Sequence, residues 1–432
     1  MRSQARISWT WRSKARRCLP GISMPKNLVV CCDGTANEFA RHRTNVIKLF
    51  SVLDHDSQRT YYHPGLGTME PAGALTTPAR KLTKLMGMTF GYGLRDDVRD
   101  AYVFLMRYYE PGDRVFMFGF SRGAYTVRAV ASLLHMYGMI RPGNEPLVPY
   151  AIRMLLAINR RPGVTRRVVG KAGELLGLNK KTTSADEHFG LAADFKAEIG
   201  CLQCGPHFVG VWDTVSSVGW IENPLTLPYV ADNPSIQIGR HAVAIDERRA
   251  FFRNHLWRPS PGRKAHGPRD SMQVWFPGVH CDVGGGYRES ESGLSKLALE
   301  WMLTEAKKAG LLVIADREAD VLGRTGGSTY VQPNAKGKQH ESLEGWWHFG
   351  ELIWKKHYNW KRQRWERRMN LWRRRTIPPA SFIHESAYGR SSRYISRLPA
   401  DAVRVSTVNP GTPSDEVARV KAAEKNGGHV PH

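Results

Sequence analysis

The residues best suited to chemistry sit in DRVFMFGFSRGAYTVRAVASLL, residues 113–134. An apolar strand pattern runs into Gly119-Phe120-Ser121-Arg122-Gly123 and then into a helical pattern. This is the G-x-S-x-G arrangement of a nucleophile elbow, which holds a serine hydroxyl on a tight strand-to-helix turn. The need for Gly119 and Gly123 is steric, because side chains two residues either side of the serine would strike neighbouring chain. The helix that follows aims its first amides at negative charge developing near the hydroxyl. The chemistry this spacing implies is acyl transfer through Ser121.

A hydroxyl needs a base to become a nucleophile, and the base needs an orienting acid. On this kind of scaffold the chain order is Ser, then Asp or Glu, then His. Asp213 follows the strand pattern HFVGVW, and His280 follows MQVWFPGV. Asp282, two residues beyond His280, competes for the role of acid, although its closeness in sequence suits a turn-capping role. His384, in IPPASFIHESAYGR, is a reserve base whose simpler reading is structural. For the oxyanion hole, one donor is expected from the Arg122 amide and another from the loop CCDGTAN, at Gly34 or Thr35, with Asp33 pinning that loop.

Other chemistries fit less well. CCDGT shares DGT with the DxDGT of aspartyl phosphotransferases, but Cys31 stands where the nucleophilic aspartate belongs. The Gly284–Gly286 run lacks the spacing and following helix of a dinucleotide site, and no Walker loop or HExxH occurs. A single CxxC, Cys201 and Cys204, is weak evidence for zinc. The expectation is therefore no metal and no cofactor.

These residues need elements to carry them to strand ends. Five apolar strands are expected, at Asn27–Cys32, Thr60–His63, Arg114–Phe120, His207–Trp212 and Met272–Val279. Continuous apolar strands alternating with helical patterns predict a mostly parallel sheet with helices on both faces. Ligands bind such sheets outside the carboxyl ends of the strands, where the candidate residues fall. The apolar stretch Ala129–Ile140 reads as a buried helix, and HAVAIDERRAFF (241–252) as another helical stretch.

The chain is long enough for a sizeable core, and a 41% hydrophobic, 10% aromatic composition is globular. Six cysteines, two of them adjacent on a strand, do not form a secreted disulfide framework. The expected setting is reducing and cytoplasmic, with peripheral membrane contact and neither signal peptide nor transmembrane segment. Residues 1–25 are expected to be a basic, disordered extension, with Met24 an alternative start to Met1. A hydrolase domain over 26–395 would carry insertions near 141–200 and 318–375, and 396–432 would form a tail.

The net charge of +24 is local. Residues 1–26 hold seven Lys/Arg and no acid, and residues 354–375 hold ten against Glu366 alone, leaving about +8 elsewhere. Nucleic acid is not the expected partner. At 100° per residue, Trp347, Trp354, Tyr358, Trp365, Met369 and Trp372 fall on one stripe, interrupted by Lys361. That pattern predicts a helix over 346–375 that touches anionic membrane, or packs its stripe on the core.

Taken together, NLVVCCDGTANE, TNVIKLF, YYHPGLGT, GFSRGAYTVRAVASLL, VGVWDTVSSVG, AIDERRAFF, VWFPGVHCDVGGGY and IHESAYGR have a family character. Their order resembles the bacterial and fungal alpha/beta-hydrolase domain of unknown function that includes the catalytic domain of type VI secretion phospholipase effectors. The resemblance spans residues 25 to 392. It implies an alpha/beta-hydrolase-like fold, a triad on Ser121, Asp213 and His280, and a lipid ester substrate. The resulting expectation is a serine esterase or lipase, phospholipases included, working through an acyl-enzyme. The alternatives are a decayed hydrolase-fold protein that binds anionic membrane, and a basic nucleic-acid-binding protein.

Overall fold

The computed structural model describes residues 25–34, 43–65, 78–157, 184–215, 219–220, 223–224, 227–258, 267–345, 347–352, 354–359 and 364–407. The basic start, Thr35, residues 158–183 and the segment from 408 onward lie outside them.

Eight strands form one sheet: β1 (Asn27–Cys32), β2 (Arg59–His63), β3 (Arg114–Phe120), β4 (Phe208–Trp212), β5 (Ile238–Ala244), β6 (Asp270–Phe276), β7 (Phe382–His384) and β8 (Val403–Val405). They lie in the order β8-β7-β6-β5-β4-β3-β1-β2, and every neighbouring pair is parallel. A parallel strand needs a crossover and is buried on both faces, which is why β1 (NLVVCC) and β4 (FVGVW) are apolar throughout. Alternate residues of β1 serve opposite cores. Leu28 and Val30 pack with Leu105 and Val127, while Val29 and Cys31 pack with Val46 and Leu299.

Helices cover both faces: α1 (Asn45–Val52), α2 (Pro78–Tyr108), α3 (Arg122–Tyr137), α4 (Val148–Ala157), α5 (Ser184–Glu198), α6 (His280–Gly284), α7 (Gly293–Lys308) and α8 (Ala315–Val321). The Thr44 hydroxyl caps α1 by accepting from the Ile47 amide at 3.4 Å. α3 is the helix expected after the elbow, and it is buried along almost its whole length. Even Arg128 is buried there, donating to the carbonyls of Val230 (2.9 Å) and His255 (2.5 Å). Among the described residues no helix is long and apolar enough to cross a membrane.

The chain therefore has an alpha/beta-hydrolase-like fold, with all five expected strands present. Three local expectations need correction. HAVAIDERRAFF is not a helix: Ile238–Ala244 is the central strand β5, and an irregular segment follows it. Apolar HAVA fits either structure locally, and pairing with β4 and β6 decides in favour of the strand. The sheet also continues through β7 and β8, so Val403–Val405 belongs to it although a tail was expected from residue 396. Strands of three residues are too short to leave a periodic signal.

The third correction concerns 346–375, which is no continuous helix. Trp347–Gly350 makes one helical turn, and Lys355–Asn359 pairs antiparallel with Arg364–Arg368. Tyr358 and Trp365, seven residues apart on the supposed stripe, are instead cross-strand partners. Spacings that suit two helical turns also suit a short hairpin, and ten cations leave a lone helix little to bury.

Candidate active site

β1 is followed in sequence by β2 on one side of it, while β3 lies on the other. The crevice at the carboxyl ends of β1 and β3 is thus where the winding reverses, the place open parallel sheets use for ligands. Asp33 and Gly34 leave β1 here, and Ser121 leaves β3.

Ser121 has φ 57° and ψ −117°, a conformation that costs a non-glycine residue roughly 1–3 kcal/mol. Its amide donates to Trp212 O at 3.1 Å, fixing the turn to the end of β4. The flanking glycines are required by contact. A Cβ on Gly119 would lie 2.5 Å from Gly123 O, and one on Gly123 would lie 2.1 Å from Cys32 O. The elbow is wedged against the end of β1, and α3 (16 residues) begins at Arg122.

Asp213 follows β4, has φ 38°, and its amide donates to Ala242 O at 2.7 Å. Its carboxylate is fully buried. Oδ2 lies 2.5 Å from His280 Nδ1, and Oδ1 accepts from the Ala244 amide at 3.0 Å. Arg375 donates to both oxygens, at 2.5 Å to Oδ1 and 3.1 Å to Oδ2. Burial alone would raise this carboxyl, but Arg375 and then His280 hold it well below the usual carboxylate range.

His280 opens the single turn α6 and is buried. Its ring lies 4.6 Å from the ring of Phe120 and 4.9 Å from that of Phe252. Gly284 lets this turn close onto the elbow, since a Cβ there would fall 1.9 Å from Phe120 Cε2. The imidazole is pushed below its ordinary pKa by burial, with Asp213 opposing. The acid and base of the sequence reading are therefore in contact, and the ring of the residue preceding Ser121 packs on the base.

The competitors are occupied elsewhere. Asp282 accepts from the Val279 amide (3.0 Å) and the His340 amide (3.1 Å), and its Oδ1 meets His340 Nδ1 at 2.7 Å. It caps the turn that holds His280. His384 lies between Ser386 Oγ (2.8 Å) and Thr407 Oγ1 (2.9 Å), stacked on Phe276, and burial lowers it to about 4.

The oxyanion expectation is changed in part. Gly34 does approach Ser121, as a Cβ there would lie 3.4 Å from Ser121 Cβ. Its amide, however, donates to Asp33 Oδ1 at 2.7 Å, so the Gly34 N–H is engaged as a loop tie. Asp33 also accepts from Thr44 Oγ1 (2.5 Å) and Tyr62 OH (2.9 Å), which is the pinning expected of it. Thr35 is outside the described residues. Beside the elbow, burial raises Asp97 to about 7 and lowers Arg122 to about 10, each side chain opposing the other's shift. Among the described residues no group of three His, Cys, Asp or Glu could hold a metal ion.

Sequence reasoning missed Arg375, Glu247 and Phe252. Glu247 Oε2 accepts from the His280 amide at 3.2 Å and pairs with Arg249 at 2.9 Å. Arg375 was hidden in an arginine run that reads as surface charge. AIDERRAFF was noticed, but as a helix, which separates residues that the strand end places together.

Over 250 residues the chain is 33% identical to Uncharacterized protein YEL023C of Saccharomyces cerevisiae, covering 55% of this chain and 34% of that one. It thus spans about a third of that relative's length. Among solved structures it is similar to an uncharacterized protein from Pseudomonas aeruginosa, with 19% identity, 68% of this chain and 47% of that chain covered, and a TM-score of 0.37. It is also similar to the Tle1 effector bound to the VgrG spike of the type 6 secretion system, with 17% identity, 64% and 53% covered, and a TM-score of 0.29. Residues 26–305, more than half the chain and including Ser121, Asp213 and His280, match the T6SS phospholipase effector Tle1-like catalytic domain, and the chain belongs to that family.

Proposed function

We propose that this chain is a serine hydrolase that cleaves carboxylic esters of lipids, phospholipids included, through an acyl-enzyme. One observation carries the reading: a buried Asp213–His280 pair whose imidazole packs on Phe120, the residue before a serine held in a strained elbow. The strain and the buried charge pairing are costly features that a decayed site would have no reason to keep.

Asp213 is ionised, so the proton on the imidazole sits on Nδ1 and Nε2 is the basic nitrogen. His280 Nε2 takes the Ser121 proton as Oγ attacks the ester carbonyl, then gives it to the departing alcohol. Water repeats the sequence on the acyl-enzyme. Oxyanion charge falls to the Arg122 amide at the start of α3, with Gly34 packed close to Ser121. The family to which the chain belongs is one of phospholipase effectors, which favours a lipid ester over a small soluble one.

A lipid substrate must be met at a surface. Trp354 and Trp372 are exposed in a segment carrying ten Lys/Arg, a composition suited to an anionic headgroup layer. The hydrolase reading is tested with a fluorophosphonate probe and a panel of phospholipids and simple esters. Ser121 alone is expected to be labelled, and Ser121→Ala to lose both labelling and ester cleavage. Undiminished labelling in Ser121→Ala would remove the nucleophile from the proposal.

A further inference from the structure

The segment 370–375, which follows the hairpin, is tightly held. Leu371 and Trp372 both have positive φ, 49° and 57°, which is costly for bulky side chains. The buried Glu351 holds them there. It accepts from the Ala250 amide (2.6 Å), Asn370 Nδ2 (2.6 Å) and the Trp372 amide (3.1 Å), and its carbonyl accepts from the Asn370 and Leu371 amides at 3.1 and 3.3 Å. Arg374 then reaches Asp246 Oδ1 at 2.5 Å.

The strain delivers Arg375. Its side chain is 7% exposed, and its planar fork spans three parts of the site. Besides both Asp213 oxygens it donates to Ala244 O (3.2 Å), at the end of β5, and through Nε (3.2 Å) and Nη2 to Phe252 O. Phe252 is one of the two rings against His280. Glu351, Arg374 and Arg375 itself lie beyond residue 305, where the family match ends.

We infer that Arg375 is a positioning residue of the active site, clamping Asp213 in the orientation that holds the His280 tautomer and setting how strongly that carboxylate can stabilise the imidazolium. The inference rests on the serine-hydrolase reading. A lysine could supply the charge but not a fork that binds both carboxylate oxygens. The charged groups that act on His280 are Asp213, Arg249 and Glu247, with Arg375 reaching it through Asp213 and the Cys281 thiol adjacent. Removing one cation from that set favours the protonated ring, so base function then fails at a higher pH.

The experiment is the rate of fluorophosphonate labelling between pH 5 and 9 for wild type, Arg375→Met and Arg375→Lys, with circular dichroism checking the fold. Arg375→Met is expected to lose on the order of 10²-fold in rate, the scale of a misplaced catalytic group. Its acid limb should also move to higher pH. Arg375→Lys should keep the wild-type limb and still lose rate, because the charge remains while the fork is gone. Wild-type rate in Arg375→Lys overturns the inference even if Arg375→Met does not fold, and so does a folded Arg375→Met with unchanged rate and limb. A wild type that never labels would instead remove the hydrolase reading itself.

Discussion

At the carboxyl end of the sheet, position is set by neighbouring main chain. The Ser121 amide is tied to Trp212 O and the Asp213 amide to Ala242 O, so each site residue inherits its place from the next strand. The arm at 346–375 is held differently, by the single buried carboxylate of Glu351 and by arginines reaching inward. The first design follows from strand order alone. The second depends on individual side chains, and exchanging one of them can release the segment without altering a strand.

The sharpest way to break this contrast is Asp213→Asn, which touches both regions. With a soluble ester it is expected to lose on the order of 10⁴-fold in turnover, the scale of a histidine held in the wrong tautomer. It also leaves Arg375 buried without its counter-charge, so thermal unfolding should shift down by the equivalent of roughly 3–5 kcal/mol. Full stability would mean that the arm is not anchored through this pair. Next comes the arm's surface. Replacing the exposed Arg367 and Arg373 with Gln should weaken binding to anionic vesicles at low salt by up to about 1 kcal/mol per charge, with soluble-ester turnover kept. Equal wild-type binding to neutral and anionic vesicles would leave the charges without a lipid role. Asp282→Asn should cost less than about tenfold in turnover, because its bonds hold a turn and not a reacting ring. An effect as large as that of Asp213→Asn would exchange the two acids.

Legibility followed the same division. The elbow could be read because three constraints coincide in a few residues: glycines at contact, an apolar strand before them and a helix after. The Asp213–His280 contact could be anticipated because parallel strands put their carboxyl ends on one edge, although β5 lies between the two strands concerned. β5 could not, since a buried run of four residues has no period to distinguish strand from helix. Arg375 could not either. Its identity is that of any surface arginine, and only the fully buried Asp213 gives it meaning. Gly34, expected as an oxyanion donor, does lie close to Ser121, but the donation of its amide to Asp33 depends on a side-chain rotamer that no spacing encodes.

The 162 residues that separate Arg375 from Asp213 also have a consequence in time. A chain synthesised from its N-terminus can fold β1 to β6 and bring Ser121, Asp213 and His280 together before residue 375 has emerged. Closing so distant a contact adds loop entropy that only the finished site repays, so the Arg375 clamp forms late. Until it does, Asp213 must be accommodated without its strongest cation. On the proposed reading the site is therefore assembled before it is clamped, and the arm is the last part of it to arrive.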